Sequence, residues 1–132
     1  MNESTGRQFE FVLFPGTTPQ TDPVMIVFHG HTGMLNISRD PPEAIIPQQM
    51  YRYPGHWTIT APQDRYGLDG FGCWWLGEGG DFFMQGFLDT ALDTVRNQYN
   101  CRGDTYTFGT SMGGFGALTY GLRWKAKGIV VN

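Results

Sequence analysis

The chain has 132 residues, 40% of them hydrophobic and 15% aromatic, which is enough for one folded domain with a single core and too few for two. Its net charge of −3 is mild and unclustered, and Arg123, Lys125 and Lys127 read as the solvated end of a helix, so no nucleic-acid partner is expected. No apolar run is long enough to cross a bilayer and the first residues lack the apolar core of a signal peptide, which predicts a soluble, cytoplasmic protein with no membrane partner.

Residues 7–14 alternate polar and apolar and read as a first strand, ended by Pro15-Gly16. After a polar, proline-bearing loop, Val24 to Phe28 is a continuous apolar run of strand length, the pattern of a strand buried on both faces. It runs directly into His29-Gly30-His31-Thr32-Gly33. Residues 36–55 are irregular, with a weak helix after Pro41-Pro42 that Pro47 limits to a turn or two. Trp57 to Ala61, bounded by Gly55 and Pro62, is another strand.

From Pro62 to Gly80 the chain is rich in glycine and carries four aromatic residues, Tyr66, Phe71, Trp74 and Trp75. Long loops leaving strand ends are where sites are built, so Phe71, Trp74 and Trp75 are candidates to line an acyl or sugar pocket; they could equally cap the core or a partner subunit. Asp81 is placed to cap the longest helix, residues 82–99, whose Met84, Leu88, Ala91, Val95 and Tyr99 share one face. Cys73 and Cys101 have no ligand spacing, so neither a metal site nor a redox pair is indicated and free thiols are expected.

Residues 104–110 form a strand that enters Gly109-Thr110-Ser111-Met112-Gly113, a Gly-x-Ser-x-Gly pattern, and a helix to about Trp124 follows, with Phe115, Leu118, Thr119 and Leu122 at helical spacing. A serine on so sharp a strand-to-helix turn has a strained backbone and needs neighbours without a Cβ, which Gly109 and Gly113 supply. The turn leaves the N–H of Met112 at a helix N-terminus, where it can stabilise an oxyanion. Gly128 to Val131 is the last strand. The order of elements gives one α/β domain over residues 1–132, with a mainly parallel sheet and helices on both faces.

In its elbow, and in the His29-Gly30 pair that ends an earlier strand, the sequence resembles the α/β-hydrolases, the family of serine esterases and lipases. The resemblance covers residues 7–132 and matches the portion of that fold ending at the strand after the elbow helix. It implies a truncated α/β-hydrolase-like fold and a serine hydrolase that cleaves a small-molecule carboxylic ester by acyl transfer to Ser111 and then to water. It also implies that the loop at Gly30 completes the oxyanion hole through the N–H of His31, beside that of Met112. Neither a metal nor an organic cofactor is required.

The family places its acid and histidine after the serine, whereas no histidine follows Ser111 here. In the same subunit, the strand ending at His29 lies beside the elbow strand in the family's sheet. His31, and secondly His29, are then the bases that could reach Ser111, while His56 precedes its strand and opens on the opposite edge. Asp64 is the first choice of orienting carboxylate, with Asp69, Glu78 and Asp81 weaker. Three readings stay open: a fragment of a longer hydrolase, a miniature enzyme with a rebuilt triad, or a catalytically silent binding or assembly module. An unpaired apolar edge at Gly128 to Val131 predicts a homodimer or higher oligomer.

Overall fold

The computed structural model describes residues 6–31, 53–67, 70 and 72–132. Seven elements follow in order: β1 (Phe11–Phe14), β2 (Val24–Phe28), β3 (Thr58–Pro62), α1 (Phe83–Asn97), β4 (Thr105–Gly109), α2 (Met112–Arg123) and β5 (Gly128–Val131). The weak helix expected after Pro41-Pro42, together with Gly33, Asp69 and Phe71, lies outside the described residues.

The strands form one sheet in the order β1-β3-β2-β4-β5, with β1 antiparallel to β3 and every other pair parallel. β2 occupies the centre, and its unbroken apolar run has a physical reason: Val24, Ile26, Val27 and Phe28 are all buried, so both faces must be apolar. The fold is thus α/β with a mainly parallel sheet. The two described helices share a single face, that of Val24, Ile26 and Phe28, where one cluster joins Met84, Leu88 and Val95 to Met112, Ala117 and Tyr120. This follows from handedness, because the connections through α1 and α2 both advance across the sheet in the same direction. Helices were expected on both faces; among the described residues they cover this one.

α1 buries Phe83, Met84, Phe87, Leu88, Ala91 and Val95, matching its apolar periodicity, whereas Tyr99 lies past its end and is exposed. Asp81 does not cap it. The N-cap position is Phe82, without a side-chain bond, and Asp81 instead pairs with Arg7 at 3.2 Å and closes a tight turn with Glu78 through two backbone hydrogen bonds.

α2 forms where the helical spacing placed it, but the large apolar residues of that spacing do not face the core. Phe115, Leu118 and Leu122 are exposed, while Gly113, Gly114, Gly116, Ala117 and Gly121 are buried, with Met112 and Tyr120 as the large side chains among them. The helix approaches too closely for anything larger: a Cβ at Gly116 would lie 2.7 Å from the Trp75 ring and 2.8 Å from Phe28, and one at Gly121 would lie 2.6 Å from Thr107 Oγ1. Arg123 is not simply solvated, since it pairs with Asp89 of α1 at 2.6 Å, and Trp124 Nε1 donates to the same carboxylate at 2.8 Å. That pair holds the Asp89 carboxyl below its ordinary pKa, the Arg123 hydrogen bond being the main cause.

Candidate active site

Ser111 sits between β4 and α2 with φ 55° and ψ −124°, a backbone conformation that side-chain-bearing residues rarely adopt. The turn is held there from both sides. Ser111 N donates to Asn132 O at 2.9 Å, Gly113 N to Thr110 O at 2.8 Å and Gly114 N to Ser111 O at 2.9 Å. A Cβ at Gly109 would fall 2.0 Å from Gly113 O, and one at Gly113 would fall 2.1 Å from Phe28 O. Both flanking glycines are therefore required by backbone contacts that no rotamer change could relieve. The Ser111 residue is exposed, its Oγ makes no hydrogen bond among the described residues, and the N–H of Met112 is likewise unbonded at the helix N-terminus.

Register brings the second half of the site to the same place. Phe28 lies opposite Gly109, so the loop leaving β2 and the turn leaving β4 emerge together at the carboxyl edge of the sheet. Gly30 passes close to the serine: a Cβ there would be 3.8 Å from Ser111 Cβ and 3.5 Å from Thr110 O. His31 follows and is exposed. His56 stands before β3, whose start pairs with the start of β2, and so lies at the opposite edge.

His29 is not poised to act as a base. It is buried at 5% exposure, Nε2 accepts the backbone N–H of Asp64 at 2.8 Å, and Nδ1 lies 2.7 Å from Gly30 O. Both ring nitrogens are thus committed to backbone. Burial lowers its pKa from 6.5; the Gly30 hydrogen bond and the Asp64 charge oppose that shift, and the charges of Arg65 and His31 add to it.

Asp64 is also placed otherwise than expected. The residue is 1% exposed; Oδ2 accepts from the N–H of Cys73 and of Trp75, both at 2.8 Å, and Oδ1 accepts from Tyr66 N at 3.2 Å and Cys73 Sγ at 3.1 Å. Four donors fill the roughly four lone-pair positions of a carboxylate, leaving none for an imidazole. Its role is to fold the glycine-rich loop back over the elbow, not to orient His31. Burial, reinforced by the Asp64 charge and hydrogen bond, pushes the Cys73 thiol up to about 12, which favours the unreactive thiol form. Both cysteines are free.

The loop so anchored splits its two tryptophans. Trp74 and Trp75 both have positive φ, 59° and 61°, and their side chains take opposite fates. Trp75 is fully buried, edge-to-face with Phe28 at 5.0 Å, its Nε1 donating to His29 O and its carbonyl accepting from Tyr120 Oη. It is a core residue and cannot line a pocket. Trp74 is 51% exposed, edge-to-face with Phe115 at 6.0 Å, and borders an open cleft floored by Gly67, Gly72, Gly77 and Gly79 with Glu78 beside it. Glu78 itself accepts the N–H of Gly67 at 2.7 Å. Among the described residues no group of three or more histidine, cysteine or acidic side chains is arranged to hold a metal ion, and no helix is long and apolar enough to cross a membrane.

The structure thus brings Gly30 beside Ser111 and Met112, with His31 next in the chain and Trp74 against Phe115 one turn along α2, and commits Asp64 and Trp75 to holding the loop. Sequence reasoning missed that supporting role, and the residue that could have signalled it is His29, a histidine closing an otherwise apolar core strand.

No family model matches the chain, and no curated protein matches its sequence. Solved structures do. The capsule O-acetyltransferase of Neisseria meningitidis serogroup A, as a histidine-to-alanine mutant in complex with CoA, is similar with a TM-score of 0.61 at 22% identity, over 92% of this chain and 46% of that one. YahD with malic acid is similar with a TM-score of 0.54 at 15% identity, over 94% of this chain and 62% of that one. The chain spans about half the length of the acetyltransferase chain it matches. At these identities the likeness concerns the fold, and the described chain has an α/β-hydrolase-like fold, with a strained serine turn at the carboxyl edge of its sheet.

Proposed function

We propose that this chain carries out acyl transfer through Ser111, cleaving a carboxylic ester and delivering the acyl group to water. The observation that carries the reading is Ser111 itself, strained and exposed at the N-terminus of α2 beside the unbonded N–H of Met112. An acetyltransferase bound to CoA among the similar folds supports acyl chemistry and makes a hydroxyl acceptor a natural alternative to water.

Ser111 Oγ attacks the ester carbonyl carbon, and its proton passes to the imidazole of His31, the histidine left at this edge once His29 is committed to backbone. The carbonyl oxygen becomes an oxyanion facing the N–H groups of Met112 and His31, each donor worth ~3 kcal/mol of barrier. As the tetrahedral intermediate collapses, the ester C–O bond breaks and the imidazolium proton goes to the departing alkoxide. Water then repeats the sequence on the acyl-serine, releasing the acid and restoring Ser111. Trp74 and Phe115 flank the acyl or acceptor group on the cleft side.

A second reading, a silent binding module, draws on the saturation of Asp64, which leaves His31 without that orienting acid. Labelling with a fluorophosphonate separates the two. The enzyme reading expects one label on the wild type, none on Ser111→Ala, and labelling slowed at least ~100-fold in His31→Ala. Full-rate labelling of His31→Ala assigns the base to another group, and no label on the wild type favours the silent module. β5 pairs with β4 alone among the described residues, and Val130 and Val131 are exposed, which supports a homodimer through that edge. A monomer by light scattering at micromolar concentration rejects it.

A further inference from the structure

His29 directly follows β2 as a buried polar residue, and both ring nitrogens and its carbonyl oxygen have hydrogen-bond partners. Its Nε2 accepts the Asp64 N–H at 2.8 Å, and a nitrogen that accepts carries no proton. The neutral ring therefore bears its proton on Nδ1, which donates to Gly30 O at 2.7 Å. The adjacent carbonyl, His29 O, accepts from Trp75 Nε1 at 3.3 Å, and Trp75 is itself tied by its N–H to the Asp64 carboxylate. Two successive carbonyls of the loop beside Ser111 are thus held in direction.

A trans peptide is planar, so its N–H points opposite to its C=O. Fixing the Gly30 carbonyl fixes the N–H of His31, the donor that the reading above assigns to the oxyanion. Gly30 needs that constraint, because a glycine lacks the Cβ that would limit rotation about its backbone. We propose that His29 is a positioning residue: its imidazole, locked as the Nδ1–H tautomer by the Asp64 backbone N–H, sets the Gly30–His31 peptide so that the His31 N–H faces the carbonyl attacked by Ser111.

The inference rests on the acyl-transfer reading for its purpose, but its geometry can be measured apart from it. In solution, ring 15N spectra at pH 8 should show His29 protonated on Nδ1 and bare on Nε2; the opposite tautomer overturns the proposal whatever Ser111 does. His29→Asn keeps a side-chain N–H near the Nδ1 position, whereas His29→Gln places its amide near Nε2 and loses the donor to Gly30. The His31 amide resonance should stay single in the first and shift or split in the second. Fluorophosphonate labelling should slow ~3-fold in His29→Asn and ~10–100-fold in His29→Gln, with both variants unfolding at similar temperatures.

Equal slowing of both variants, or a His29→Gln that labels at the wild-type rate, overturns the positioning role. A wild type that takes no label, with the tautomer and the His31 resonances as expected, rejects the serine chemistry while leaving the peptide clamp standing.

Discussion

Replacing Ser111 by glycine should make the protein more stable than replacing it by alanine, against the ordinary order of those two residues. At φ 55° and ψ −124° a Cβ is strained, at a cost of ~1–3 kcal/mol. Glycine relieves that strain, and its larger loss of chain entropy on folding returns ~0.5–1 kcal/mol. Alanine retains the Cβ and the strain. No capping hydrogen bond is lost in either case, because the Ser111 side chain makes none with its helix. The difference left is ~0.5–2 kcal/mol in favour of glycine, or ~2–8 °C in melting temperature for a domain of this size. Urea and thermal unfolding of the two variants, followed by far-ultraviolet circular dichroism, give the number directly. A Ser111→Gly protein less stable than Ser111→Ala would mean that the turn is unstrained in solution, and the argument from the elbow would fail with it.

Three further outcomes follow from the packing and charge around the site. Gly113→Ala should destabilise by ~1–3 kcal/mol or more because its Cβ would strike the carbonyls of Phe28 and His29, whereas Gly86→Ala, in open space on α1, should stabilise by ~0.5–1 kcal/mol; both are read from urea midpoints. Asp64→Asn should cost ~2–4 kcal/mol by leaving backbone donors of the loop without acceptors, and should quicken the reaction of Cys73 with a disulfide reagent at pH 9, since the charge and hydrogen bond that help raise its thiol are gone. An unchanged thiol rate would contradict the assigned contact. His29 has its pKa lowered on folding, so the unfolded chain binds more protons below 6.5; stability should be complete above that pH and fall as pH drops toward the folded value, a component that His29→Asn removes from the pH dependence of urea midpoints.

Much of the frame is written where one requirement dominates a segment. β2 and β5 appear at their expected residues, β2 because a strand buried on both faces permits only apolar residues over its length. The elbow is visible for a similar reason, since one strained turn demands Gly109 and Gly113 at fixed positions. α2 misleads because amphipathic reasoning assumes that the largest apolar residues face the core. Here a close helix-to-sheet approach selects the smallest, and the many glycines, poor helix formers otherwise, were the sign of it. Trp74 and Trp75 take two consecutive left-handed backbone conformations, which no pattern of adjacent identical residues encodes. Asp64 stands out in the sequence but its partner does not, since a carboxylate just past a strand can turn equally toward a histidine or toward backbone N–H groups. The glycines on either side of Cys73 and the tryptophans decide it by folding the loop back over the residue.

In the proposed reaction Ser111 accepts an acyl group. Brief incubation with p-nitrophenyl acetate, an acid quench, and mass spectrometry of the intact chain and its peptides test it most directly. One acetyl group, mapped to Ser111, is expected on the wild type and none on Ser111→Ala. Acetylation confined to lysines, or equal on both proteins, would contradict it.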